Sequence, residues 1–64
     1  MKRKQLLKHL SAHDCVVVKE GSEHTWVQNT ATKQKSFVPR HREIKPGTVR
    51  AICKQLGIPT PAEK

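Results

Sequence analysis

The sequence predicts an α+β fold of order α-β-β-β-α, a two-layer sandwich in which both helices cover one face of a three-stranded antiparallel sheet. Three observations lead there. Both ends of the chain carry apolar residues at helical spacing. The middle holds three short runs with β-branched and aromatic residues, separated by polar turn-formers. Only 34% of the 64 residues are hydrophobic, with Trp26 and Phe37 the sole Trp, Phe or Tyr rings, so the core must be thin.

Residues 3–12, RKQLLKHLSA, place Leu6, Leu7 and Leu10 at i, i+1 and i+4, the stripe of an amphipathic helix that Asp14 ends. CVVVKE, residues 15–20, reads as a strand stopping at Gly21, and HTWVQN, residues 24–29, as the second strand. NTATKQ supplies a turn, and KSFVP, residues 35–39, makes a third strand that Pro39 terminates because it has no N–H for a ladder. Short polar connections between successive strands call for an antiparallel meander. Pro46 suits the first turn of a second helix, where its missing N–H has no helical partner. Val49, Ile52, Cys53 and Leu56 then fall at i, i+3, i+4 and i+7, and Gly57 is a natural stop. The segment 59–64 is expected to fray, with Ile58 packing back. Each helix has one apolar stripe, so both belong on the same sheet face, leaving the other to solvent or a ligand. This is the topology of a double-stranded-RNA-binding domain.

Residues 1–64 are expected to form one domain, without linker or repeat. Thirteen Lys and Arg against five Asp and Glu give a net charge of +8 and a pI near 10.1. That field steers the chain toward polyanions: nucleic acid, an anionic membrane or an acidic protein. No apolar run approaches the ~20 residues that span a bilayer, so a membrane partner is not expected. In MKRKQLLKHL, Lys8 and His9 interrupt the apolar stretch, which excludes a signal peptide and makes the cytoplasm the expected location. Cys15 and Cys53 are then expected to stay reduced and to sit at the edge of the core. A thin core leaves no room for a deep pocket, so any chemistry sits on a surface or in a shallow groove.

Metal chemistry fits poorly. His9 and His13 lie four apart on the first helix, but HLSAH lacks the acidic residue of an H-E-x-x-H site and there is no C-x-x-C. No metal or other cofactor is expected, and His9 is expected on a solvated face with His13 edging the core. Ser22, two residues before His24, is not in a G-x-S-x-G elbow. The basic residues say more. Lys2, Arg3 and Lys4 open the first helix, while Lys33, Lys35, Arg40, Arg42 and Lys45 surround the third strand and its exit. Such side chains hold phosphates without reading sequence. RNA carries its own nucleophile, the 2′-hydroxyl, and an imidazole, which ordinarily titrates at about pH 6.5, suits removal of its proton. His24, where a Gly-Ser turn becomes a strand, is one of four histidines that could do this.

Taken together, K-R-x-x-L-L-K-x-L (Lys2 to Leu10), E-G-S-x-H (Glu20 to His24), V-P-R-H-x-E-I-K-x-G-T (Val38 to Thr48) and a final L-G-I (Leu56 to Ile58) resemble the HicA-type toxins, the small mRNA interferases of bacterial toxin–antitoxin pairs. The resemblance implies a double-stranded-RNA-binding-like fold that cleaves mRNA without a metal. It implies His24 as the catalytic residue, and His41 as a second histidine that is catalytic or contacts RNA. It also implies a HicB-type antitoxin that covers the active site, giving a monomer alone and a hetero-oligomer with antitoxin. Lys19, Ser22, Arg40, Arg42 and Lys45 are the expected RNA contacts, though which cation faces His24 is not readable. Trp26 shares strand parity with His24, so it is either a base-stacking ring on the open face or the main aromatic of the core. Two readings compete with the endonuclease: a non-catalytic RNA-binding module, and a basic docking domain for an acidic protein.

Overall fold

Alternation of buried and exposed residues organises the second and third strands, while the first is buried only at Cys15. In the computed structural model, which describes residues 1–61, the chain runs α1 (Arg3–Ala12), β1 (Cys15–Glu20), β2 (His24–Asn29), β3 (Lys35–Pro39) and α2 (Pro46–Leu56). The three strands form one antiparallel sheet in the order β1-β2-β3. Thr25, Val27 and Asn29 of β2 and Ser36 and Val38 of β3 point inward and are buried. Leu6 and Leu10 of α1 meet them, with Val49, Ile52, Cys53 and Leu56 of α2. Both helices therefore cover the same face, as their single apolar stripes require. Ile44, in the loop before α2, completes the core, and Met1, Leu7 and Ile58 pack at its margin.

Local chemistry sets the ends of the elements. Asp14 turns the chain out of α1 in the left-handed region, at φ 66°, which Asp tolerates better than most residues. Pro46 occupies the first turn of α2. Gly57 ends α2 at φ 71°, a left-handed conformation that glycine adopts without the strain a Cβ would bring. Asn29 joins the β2–β3 loop to α2. Its amide donates to the Leu56 carbonyl at 2.7 Å, while its oxygen accepts from the Ala31 and Thr32 N–H groups at 2.9 and 3.4 Å.

Two expectations need correction, and a third lies partly out of view. His9 is half-buried rather than solvated, because the chain after Gly57 folds back over α1 and its Nε2 meets the Pro59 carbonyl at 2.7 Å. Cys15 and Cys53 are free, and both lie inside the core rather than at its edge, buried in one cluster with the leucines and valines of both helices and the sheet. Of the segment expected to fray, residues 62–64 lie outside the described residues. Among the described residues no helix is long and apolar enough to cross a membrane.

Candidate nucleic-acid interface

The face of the sheet turned away from the helices is built by strand parity and one irregularity. β1 pairs with β2 as Val16 to Gln28 and Val17 to Val27, but then as Lys19 to Trp26 and Glu20 to Thr25. Val18 is thus the extra residue of a β-bulge. Without it Lys19 would oppose Thr25 on the helix side; with it, Lys19 joins Trp26 on the open face and Glu20, still exposed, lies opposite Thr25. The bulge therefore gives the open face a cation and sets a carboxylate beside Thr25.

His24 starts β2, opposite Pro39. Its ring is half-buried and packs edge-on against Phe37, with centroids 4.6 Å apart and planes at 73°. Such a contact limits how the imidazole can turn. Phe37 in turn lies 5.4 Å from Trp26, so the three rings form a row across β2 and β3. Trp26 and Phe37 remain 39% and 40% exposed, which settles the sequence ambiguity: Trp26 is on the open face. Val18, Lys19 and Lys35 border the indole around a shallow hollow of about 480 Å³.

Beneath His24 a polar chain holds the β1–β2 turn. Thr25, fully buried, donates its hydroxyl to Glu20 Oε1 at 2.7 Å and accepts from the Arg3 guanidinium. Arg40 donates to the same carboxylate oxygen at 3.0 Å and to the Gly21 carbonyl, and its backbone N–H donates to the Glu23 carbonyl. Gly21 N–H donates to the His24 carbonyl at 2.8 Å. His24 is thus fixed through its backbone, its neighbour Thr25 and the ring of Phe37.

The first residues of the chain meet the loop after β3 next to this turn. Met1 and Ile44 exchange backbone hydrogen bonds, and Arg3 N–H donates to the Arg42 carbonyl. This pairing places the start of α1 beside the segment after β3. Lys2, Arg3, Lys4, Arg40 and Arg42 line the resulting groove of about 470 Å³. Among the described residues, Glu20 is the carboxylate paired with these cations, bonding Arg40 and lying 4.0 Å from Arg3.

The sequence-derived candidates therefore separate into three places. His24 and Lys19 share the open face. Arg40 and Arg42 line the basic groove, which Arg40 joins to the turn before His24. Lys45 and His41 line another shallow hollow with Pro39, Glu43, Ile44 and Thr48, at the approach to α2. Ser22 is exposed in the bend before β2. Phe37, Thr25 and Glu20 were not among the candidates. Parity alone points Phe37 outward, between inward Ser36 and Val38, whereas nothing in CVVVKE announces the bulge that places Glu20. Among the described residues no three or more His, Cys, Asp or Glu side chains converge as metal ligands. His9 and His13 do lie together, with ring centroids 4.6 Å apart.

Two thiols in the core have displaced protonation equilibria. Burial pushes both thiols above the ordinary value of 9.0; the Asp14 carboxylate adds to the effect on Cys15, and Cys15 adds to that on Cys53.

Comparison with known proteins agrees with the motifs. No curated protein and no solved structure gives a match. The family described as HicA toxin of bacterial toxin–antitoxin matches residues 3–58, which is most of the 64-residue chain and includes every element of the fold. The chain belongs to the HicA toxin family of bacterial toxin–antitoxin systems.

Proposed function

We propose that the protein is a metal-independent endoribonuclease that cleaves mRNA, with His24 as general base. The observation that carries this reading is the position of His24. It lies on an open sheet face, held by Phe37, and its cross-strand partner Pro39 leads directly into Arg40 and the five-cation groove. Phosphates in that groove bring a 2′-hydroxyl within reach of the imidazole. The imidazole takes the 2′ proton, the 2′ oxygen attacks the adjacent phosphorus, and the bond to the 5′ oxygen breaks. The departing oxygen takes a proton from water. Products are a 2′,3′-cyclic phosphate and a 5′-hydroxyl end. Arg and Lys side chains stabilise the charge that builds on the phosphoryl oxygens.

The remaining candidates contribute binding. Lys19, Ser22, Arg42 and Lys45 contact the RNA, with His41 as a further contact near α2. In the cell the toxin acts in the cytoplasm as a monomer, and a HicB-type antitoxin silences it in a hetero-oligomeric complex.

Replacing His24 by Ala tests the assignment on purified RNA. General base catalysis contributes typically 10²–10⁴-fold, so cleavage should fall by about that factor while binding and the thermal midpoint stay near wild type. Full cleavage by the variant, or intact RNA with the wild-type protein, rejects the mechanism. In the second case a non-catalytic RNA-binding module replaces it.

A further inference from the structure

We infer that Trp26 and Phe37 form a platform on which unpaired RNA bases stack beside the scissile phosphate, so that the enzyme selects single-stranded segments. The inference deepens the proposed function and depends on it for naming the occupant as RNA.

Four observations support a nucleic acid there. Both rings are about 40% exposed on the sheet face turned away from the core, although they are the chain's only Trp and Phe and its core has no aromatic ring. Burying them would have served stability, so their place outside needs another use. Lys19 and Lys35 flank the indole, and a π surface between ammonium groups complements a base attached to a phosphate chain. The ring planes are tilted by 58° at 5.4 Å, so they do not form one plane and take bases one apiece. Finally, Phe37 touches His24, which sets a base on this row next to the hydroxyl that His24 would deprotonate. In a duplex the faces of the bases are already stacked on one another, so only an unpaired segment offers them.

Trp26 is the only tryptophan, so its emission reports on this face alone. A short single-stranded 2′-O-methyl RNA, which has no 2′ proton to lose, separates binding from cleavage. Titration should quench Trp26 in step with binding followed by anisotropy of a labelled strand. The same oligomer in a duplex should leave the emission unchanged. Trp26→Ala should weaken single-strand binding by about ten- to a hundredfold, the usual worth of one stacked base, and Trp26→Phe should recover part of it. Circular dichroism and the thermal midpoint check that both variants fold.

No binding, saturated binding without quenching, equal quenching by the duplex, or unchanged affinity in Trp26→Ala each overturn the platform. Emission that ignores RNA and moves only with the antitoxin overturns it in favour of a protein-docking face. Because the probe cannot be cleaved, loss of the endonuclease reading appears separately, as ordinary RNA left intact by the wild-type protein.

Discussion

On its helix-covered side the sheet presents Thr25, Val27, Asn29, Ser36 and Val38, all buried. One residue out of phase in the same two strands, the other side presents His24, Trp26, Gln28 and Phe37, which water reaches. Each helix supplies a stripe of apolar side chains to the first face, and the second face meets a helix only at the β3 margin, where Phe37 borders a hollow with Gly47, Thr48 and Ala51. The first is therefore constrained by packing, and a misfit there costs stability. The second is free of that constraint, so its residue types can be chosen for what they bind. The small core makes the contrast sharper. Total stability for 64 residues is expected at roughly 3–10 kcal/mol, so the covered face has little to spare, while the open face keeps the largest rings the chain has.

Truncation on the two sides should separate them most strongly. Leu56 is fully buried, and Leu56→Ala removes its packing and leaves a cavity worth about 3 kcal/mol. In a domain this small that loss takes much of the folded population, visible as a large fall in the urea midpoint. Val16→Ala, on the open side of β1 and 47% exposed, should cost under about 1 kcal/mol in the same assay. Similar losses from both variants would mean that the open face is packed against something and that the two-face contrast is wrong.

The same contrast explains what the sequence made legible. Spacing of Leu6 and Leu10, and of Val49, Ile52, Cys53 and Leu56, defined both helices and the face they bury, because periodicity is a direct image of packing. Asp14, Pro46 and Gly57 marked boundaries through backbone chemistry that needs no partner. His24 was legible as a candidate because its turn and strand are local. The bulge at Val18 was not. Three successive valines look the same whether or not the register shifts, so the placing of Lys19 opposite Trp26 and of Glu20 opposite Thr25 depends on pairing with β2. The basic groove was half legible: Lys2, Arg3 and Lys4 are clustered in sequence, as are Arg40 and Arg42. Only the bridge between residues 2 and 43 brings the two clusters together. His9 was misjudged for the same reason, since the segment that covers it lies 50 residues away.

Polar residues on the covered face should be nearly as intolerant as leucine. Asn29 is buried and satisfies one carbonyl of α2 and two N–H groups of its own loop. Asn29→Ala leaves them without that partner and should cost about 2 kcal/mol, measured by the same unfolding midpoint. Asn29→Asp makes the sharper comparison. It keeps the acceptor for Ala31 and Thr32 but sets a carboxylate against the Leu56 carbonyl, at the negative end of the α2 dipole. The near-isosteric change should therefore destabilise at least as much as Ala. If Asp is instead neutral, the donor to Leu56 contributes nothing and the loop alone holds Asn29.

The smallest expected effect lies in how pH acts on the two sides. Cys15 of β1 and Cys53 of α2 sit in the core, and burial holds both thiols above their ordinary value of 9.0. A raised value in the folded state means that folding favours the protonated thiol. The corresponding stability is fully present below about pH 9 and is lost as pH rises through the folded-state values, because the unfolded chain gives up those protons first. The urea midpoint should accordingly decline above pH 9. The double variant Cys15→Ala, Cys53→Ala should be less stable at neutral pH, from the lost volume, yet show a flatter decline above pH 9. An unchanged slope in that variant would assign the alkaline loss to groups elsewhere, and would mean that the core excludes water less completely around these thiols than its packing implies.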